Sequence, residues 1–390
     1  MNILLINDYL ERGGAEAVFK HQFEILKKDY TVEMFYAFKG FSDKNTSPFS
    51  YIYSFHFKKK LEQFLSGHSF DCIIIHNYNG ALSPSVLDVL HQYKKNRKCK
   101  IIHYAHDFHL VCPNRGYSYF KNGRTINFQK PPTLLSFLTK RLDYRGAAYS
   151  MLKKCQWMNA YTLGKKQKVF DLILTPSDFL AQQISLLYPG INVERMYNSC
   201  NSLNIKGKEK TKEKSGKLRL VYFGRLVQEK GLADFIEAIR FSTIDFSFTM
   251  IGEGEEEPVI QDIIKQHKLQ EKVFIKPRMN HADLFAELSN YDVFVLPSLW
   301  YENAPLSVIE AASVGLGLFL SGHGGVLEMG EICKASHFFK PGHPDDIVSK
   351  LDTLYKDFLN GSMPQADKDC LPALFSEETY IENLKKILNI

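Results

Sequence analysis

Asp292 to Glu310 reads DVFVLPSLWYENAPLSVIE. Val293 to Leu296 is an apolar run with the length of a buried strand, and Pro297 with Ser298 ends it. A polar loop follows. Pro305 stands where the first helical turn begins, with Leu306, Ile309, Ala312 and Ser313 on one side of the helix it opens. Glu302 falls in the loop ahead of that helix and Glu310 about two turns in, both near the positive end of the helix dipole. Such a crevice suits a ligand with phosphates for the helix end and hydroxyls for the carboxylates, because an ionised carboxylate accepts hydrogen bonds from a vicinal diol. A nucleotide sugar offers both.

Outward from this stretch, the second half of the chain alternates apolar runs with helical segments. LRLVYFG, FSFTMIG, KVFIKP, DVFVLP and LGLFLS read as strands, with helices from about Ala233, over about 257–268 and from His281 between them. The first of these strands runs into GRLVQEKG, which sets Arg225 and Lys230 where a diphosphate can sit. The next loop, GEGEEEP, has a GxG, but Glu255, Glu256 and Glu257 would repel a pyrophosphate and argue against a dinucleotide there. Past the Glu pair, SGHGGVLEMGE carries Gly322, Gly324 and Gly325, which permit close backbone approach.

The first half has the same parallel, doubly wound pattern: NILLIN, a helix from about Ala15 to Lys28, TVEMFYA, a helix near 58–65, DCIIIHN, a helix opening at Ser83-Pro84, and KIIHYAH. Gly13 and Gly14 in its first loop let backbone amides approach an oxyanion, without spelling GxGxxG. HYAHDFHLVCPN sets His103, His106, Asp107 and His109 close together, yet this spacing fits no metal geometry, and His106-Asp107 lie at a strand's carboxyl end, where open α/β sheets bind ligands. From Asn127 to Lys168 the alternation lapses into a basic, aromatic segment, read either as an amphipathic helical insertion that can hold a lipid-linked acceptor or rest on a membrane, or equally as an ordinary surface helix pair. DLILTPSDF then gives a strand and a helix capped by Ser177 or Asp178, VERMYN another strand, and the lysine-rich run from 200 to 217 a linker.

With 390 residues, 45% of them hydrophobic, the chain has core material for two domains. Seven cysteines without a CxxC pair fit a reducing compartment better than a disulfide framework or zinc site. The absence of a long apolar window and of a cleavable leader leads to a cytoplasmic expectation. A net charge of +6 without a nucleic-acid motif gives no nucleic-acid role.

In motif order, Gly13-Gly14-Ala15-Glu16, His106-Asp107 with Cys112-Pro113, GRLVQEKG, and Glu302 with Glu310 in PSLWYENAPLSVIEA resemble the retaining GT-B glycosyltransferases of family 4, whose Glu-x7-Glu signature the last pair matches. DYRGAAYS resembles the family's Tyr-Arg-Gly-Ser element, and Gly324 to Glu328 its Gly-Gly-x-x-Glu turn. TINFQK lacks the paired cysteines of some relatives, and GLGLFL departs from the usual Gly-x-Pro-Val. The resemblance implies two Rossmann-like domains facing each other across a cleft: 1–205 on the acceptor side, 217–370 on the nucleotide-sugar side, and a C-terminal helix in 371–390 crossing back. It gives Arg225 and Lys230 the donor's phosphates, Glu302 the sugar hydroxyls, Glu310 the ribose, His106 a place beside the sugar, and Gly13, Gly14, Asn303, Ala304, Pro305 and Leu306 parts of the donor site. The implied reaction moves a sugar, with retention, from a UDP- or GDP-sugar to a glycan or lipid-linked glycan, without cofactor or metal and with peripheral membrane contact. The alternatives are a GT-B nucleotide-sugar epimerase and an inactive carbohydrate- or nucleotide-binding protein. All expected site residues are present, which weighs against the second.

Overall fold

The computed structural model describes residues 1–11, 13–40, 47–121, 123–200, 216–367 and 370–388. The expected lysine-rich linker lies largely outside them. The chain divides into two units, Met1–Met196 with the residues from Asn383 onward, and Tyr197–Glu382.

In the first unit six parallel strands, β1 (Asn2–Tyr9), β2 (Thr31–Phe38), β3 (Cys72–Ile75), β4 (Lys100–Tyr104), β7 (Leu172–Thr175) and β8 (Val193–Arg195), lie in the order β2-β1-β3-β4-β7-β8. Between β4 and β7 a separate antiparallel hairpin, β5 (Ser118–Lys121) with β6 (Arg124–Asn127), leaves the sheet. The central strands are near-continuous apolar runs, with Ile3 to Ile6 and Ile73 to Ile75 fully buried, as a sheet covered on both faces requires. Leu4 pairs with Ile73 and Ile73 with Ile101. The chain leaves β1 toward β2 and returns on its other side to β3, so the loops after β1 and β3 diverge at a switch point. The helix Gly14–Leu26 buries Phe19, Gln22, Ile25 and Leu26. Ser177, of the two cap candidates, accepts the Leu180 amide. Residues from Asn383 onward are tied to this unit by Lys385 Nζ to Asp29 Oδ2 at 2.6 Å and Lys100 Nζ to the Ile387 carbonyl at 2.8 Å.

The second unit has strands β9 (Leu218–Phe223), β10 (Phe246–Ile251), β11 (Val273–Lys276), β12 (Val293–Leu296), β13 (Gly317–Ser321) and β14 (Ser336–Phe339), all parallel, in the order β11-β10-β9-β12-β13-β14. Its switch point lies between β9 and β12, paired through Leu220 and Val293. The fold class is therefore the one read from the sequence: two doubly wound α/β units.

Several local expectations change. β14 and the β5–β6 hairpin have no counterpart in the sequence reading, since HFF and YFK are too short to show a period. The helix Leu306–Ser313 buries Val308, Ile309, Ala311 and Ala312, so its core face is rotated away from Leu306 and Ser313, which are only half-buried. Pro305 precedes the helix as its extended N-cap rather than opening its first turn. The segment from Asn127 is several short helices, Leu134–Thr139, Ala147–Trp157, a π-turn Met158–Leu163 and a 3-10 turn Lys166–Val169. Much of its basic character is spent internally. Lys154 is buried and donates to the Leu138 carbonyl, Arg145 and Lys153 lie 2.8 and 2.9 Å from the buried Asp143, and Lys166 lies 2.7 Å from Asp88. Leu135, Leu138, Tyr144, Tyr149, Met151 and Leu163 are exposed on it instead. Among the described residues no helix is long and apolar enough to cross a membrane.

Candidate functional site

Two loops end at the switch point of the second sheet, and each carries expected site residues. The loop after β9 holds Arg225 and Lys230, the latter on a 3-10 turn, Gln228–Lys230. The loop after β12 holds Ser298 to Pro305.

Close backbone contacts join these loops. Gly231 has φ +68°, and a Cβ there would run into the Pro297 carbonyl, so only glycine lets the turn after Lys230 lie against the end of β12. The Leu299 amide donates to the Glu229 carbonyl at 2.9 Å. From the other side, the Gly325 amide donates to the Glu302 carbonyl at 2.9 Å, and a Cβ on Gly325 would overlap the Asn303 carbonyl. His323 Nε2 lies 2.9 Å from the Ser298 carbonyl. The expected close approach of the glycine turn is thus against the Glu302 loop itself.

Held in this way, Glu302 is nearly covered, its side chain 12% exposed. Lys230 Nζ, Ser298 Oγ and Trp300 Nε1 all donate to its Oε1, at 2.6, 2.7 and 2.9 Å. Burial pushes its carboxyl up, but the charge and hydrogen bond of Lys230, with the bonds from Ser298 and Trp300, outweigh that and hold it below the ordinary glutamate value. The group is an ionised acceptor at neutral pH. Ser298 and Trp300 were not singled out in the sequence; an indole and a hydroxyl two and four residues ahead of a candidate carboxylate were the available signal.

Arg225 is exposed, and its backbone carbonyl accepts from Tyr222 Oη at 2.7 Å. Among the described residues no hydrogen bond joins its guanidinium to Lys230 or Glu302. Glu310 occupies the fifth residue of the helix Leu306–Ser313, nearer its start than expected, and its Oε1 lies 3.4 Å from His281 Nε2. Asn303, Ala304, Pro305 and Leu306 form the half-buried lip that leads into this helix.

The GxG of the following loop also has a packing cause. A Cβ on Gly252, at φ +157°, would strike the Gly224 carbonyl, and one on Gly254 the Leu226 carbonyl. Glu256 beside them has its carboxyl pushed up to about 7 by burial and by Asp234, Glu229 and Glu255.

In the first unit, Gly13 caps the helix Gly14–Leu26 in extended conformation, and a Cβ on Gly14 would meet open space. His106 follows β4, half-buried, with Nε2 2.7 Å from His76 Nδ1. Its neighbours go elsewhere: His103 Nδ1 to the Ile75 carbonyl at 2.9 Å, His109 to Tyr161 Oη at 3.0 Å and Gln156 Oε1 at 3.2 Å, and Asp107 to the His109 amide at 2.8 Å. Burial draws His103 down to about 4 and His106 to about 3. No group of three or more His, Cys, Asp or Glu among the described residues is placed to hold a metal ion.

The structure thus brings Lys230 and Glu302 into contact, and leaves Arg225 and Glu310 outside that hydrogen-bonded cluster. His106, Gly13 and Gly14 lie in the other unit.

Residues 205–365 match the family model described as Glycosyl transferases group 1. AmsK, the amylovoran biosynthesis glycosyltransferase of Erwinia amylovora, is 31% identical over 147 residues, 36% of this chain and 35% of that protein. The chain spans about a third of the length of the first curated relatives it matches. The lipopolysaccharide outer core galactosyltransferase WaaB superposes over 100% of this chain and 99% of its own, with TM-score 0.67 and 16% identity. HepE of Anabaena in complex with UDP-glucose does so over 100% and 99%, with TM-score 0.63 and 15% identity. The fold, two parallel-sheet Rossmann-like units, is that of GT-B glycosyltransferases.

Proposed function

We propose that this chain is a retaining glycosyltransferase of the Glu-x7-Glu type, moving a hexosyl or N-acetylhexosaminyl group from a UDP- or GDP-sugar to a hydroxyl of a glycan or lipid-linked glycan in surface polysaccharide synthesis. The observation that carries this reading is the Lys230–Glu302 pair at the switch point of the second sheet, inside the segment that matches the group 1 family. The match to AmsK and the likeness to HepE, recorded with UDP-glucose, support the substrate class.

The chemistry follows from charge. As the bond from the anomeric carbon to the diphosphate breaks, negative charge grows on the leaving phosphate, and the cations of Lys230 and Arg225 stabilise it there. An ammonium has three donors, so Lys230 can keep its bond to Glu302 and still reach phosphate oxygens. With Oε1 of Glu302 taken by three donors, Oε2 is the acceptor for a sugar hydroxyl. Glu310 serves the ribose and the Asn303–Ala304 amides the phosphates. Two side-chain cations at the leaving group give a design that needs neither divalent metal nor cofactor. The exposed Leu135, Leu138, Met151 and Leu163 support peripheral contact with the cytoplasmic membrane face.

The test is incubation of the purified chain with a panel of UDP- and GDP-sugars and lipid-linked or free glycan acceptors, with excess EDTA present. Sugar transfer with retained anomeric configuration is expected. Conversion of the donor with no acceptor would replace this reading with an isomerase. Donor binding without turnover across the panel would replace it with a binding protein. A rate abolished by EDTA and restored by magnesium would overturn metal independence.

A further inference from the structure

At the switch point of the first sheet, the loops after β1, β3 and β4 bring polar groups together. The Gly80 and Leu82 amides donate to Asp8 Oδ2 and Oδ1 at 2.7 and 2.8 Å, which fastens the loop after β3 to the end of β1. Where a Cβ on Gly80 would stand, Asp8 Oδ2 is 2.7 Å away and Arg115 Nη2 3.6 Å away. The guanidinium of Arg115, from the loop after β4, therefore lies against this loop.

Its backbone is fixed in a form that a residue with a Cβ rarely adopts. Arg115 has φ +65° and Tyr117 φ +53°. The turn holds because the Phe108 amide donates to the Arg115 carbonyl at 3.0 Å and the Gly116 amide to Asn114 Oδ1 at 3.0 Å.

The side chains so placed are left with unused hydrogen-bonding capacity. Arg115 Nε lies 3.8 Å from Asp107 Oδ2, too far for a hydrogen bond, and among the described residues the guanidinium makes none. Asp107 is anchored through its other oxygen, Oδ1, which accepts the His109 amide at 2.8 Å. Tyr51 Oη, whose charged surroundings are Arg115, Asp8, Asp107 and Asp143, also has no hydrogen-bond partner among the described residues. Asn79 Oδ1, one position before Gly80, is buried and likewise without one. Arg115, Asp107 and Tyr51 are each only half-buried, so a ligand can reach them.

Charge decides what kind of ligand. Asp8, Asp107 and Asp143 balance Arg115, Arg145 and Lys153, the last two already on Asp143, so this set has no net charge to draw an anion. A carboxylate oxygen that only accepts, beside N–H groups that only donate, suits a ligand that does both. A vicinal diol is such a ligand: one hydroxyl donates to Asp107 Oδ2 and its neighbour accepts from the guanidinium. A closed, bidentate ion pair would have left neither side available.

We propose that Arg115, Asp107 and Tyr51 form a subsite in the first unit for an uncharged sugar of the acceptor, held by two adjacent hydroxyls. This rests on the reading of the chain as a glycosyltransferase with a glycan acceptor.

The test is saturation-transfer NMR of the full chain, without donor. The probes are the methyl glycosides of glucose, galactose, mannose and N-acetylglucosamine, beside glucuronic acid and glucose 6-phosphate. At least one neutral glycoside is expected to bind. Its affinity should fall about tenfold in Arg115→Asn, which removes the guanidinium and suits the left-handed backbone, and severalfold in Tyr51→Phe, which removes only the hydroxyl. In a transfer assay the acceptor KM should rise in both variants with the donor KM unchanged. Tighter binding of the charged sugars than of the neutral ones would overturn the assignment to an uncharged sugar. No glycoside bound by the parent chain, or an affinity unmoved in both variants, would overturn the subsite. Binding needs no turnover, so glycoside binding through these residues without any transfer refutes the proposed function and not this subsite. Transfer with glycoside affinity and acceptor KM unmoved in both variants refutes the subsite alone.

Discussion

Lys230 Nζ and Glu302 Oε1 lie 2.6 Å apart, both side chains less than one-fifth exposed, although 72 positions separate them in the chain. Covering two charges is costly unless they meet, and leaving one of them alone costs more than never having had the pair. Lys230→Met should destabilise the chain by roughly 2–4 kcal/mol, because Glu302 is left covered with only neutral donors. Lys230→Met with Glu302→Gln together should recover much of that loss. Urea denaturation of the two single variants and the double variant checks this, and additive losses would refute a coupled pair.

Arg225 makes the opposite prediction. Its guanidinium is exposed and its recorded hydrogen bond is through the backbone carbonyl, so Arg225→Ala should leave the melting temperature within a degree or two. Turnover should nevertheless fall by about 10²-fold or more, the cost of removing one charge stabiliser at a leaving group. Steady-state rates beside a thermal melt decide it; an unchanged rate with a verified donor and acceptor removes Arg225 from the site.

The glycines of the two Gly-Gly turns should differ sharply. A Cβ on Gly325 would overlap the Asn303 carbonyl, whereas one on Gly14 would meet nothing within 4 Å. Gly325→Ala should cost on the order of 2 kcal/mol or more and weaken donor binding by shifting the Glu302 loop. Gly14→Ala should be neutral for stability. Equal melting temperatures for the two variants would contradict the packing described.

Glu256 gives a pH signature. Its folded-state carboxyl sits near 7 instead of the ordinary 4.5, and its Oε2 is buried with no hydrogen-bond partner among the described residues. Between those values the folded state holds a proton that the unfolded chain releases, so stability contributed by this group falls as pH rises through that window. Glu256→Gln should remove that fall and be more stable than the parent at pH 8, by about 1 kcal/mol after allowance for partial exposure. Chemical denaturation at pH 5 and pH 8 measures the difference, and a Glu256→Gln gain equal at both would refute it.

Much of this was legible because parallel strands covered on both faces must be apolar throughout. Val293 to Leu296, Ile3 to Ile6 and Ile73 to Ile75 therefore announce themselves, and in a doubly wound sheet their order determines which loops share a switch point. The Glu302 and Lys230 motifs were visible for the same reason, as residues just past strand ends. What escaped was contact across sequence. Lys230 lies 72 positions from the carboxylate it meets, and His76 lies 30 positions from the ring it meets. A count of charges in the basic insertion does not show where they point: Asp143 within it takes Arg145 and Lys153, and Asp88, 78 positions away, takes Lys166.

The glycine contacts described above have a mechanical meaning. Because Gly231 lies flush on the Pro297 carbonyl while Gly325 holds the Glu302 carbonyl, three separate loops are keyed into one another like stones in an arch. On the function proposed above, a donor meeting the Lys230 ammonium of one loop would find the Glu302 carboxylate of the next already set 2.6 Å from it. Little ordering entropy is then left to be lost on binding, and sequence drift at any one keystone should be felt at all three.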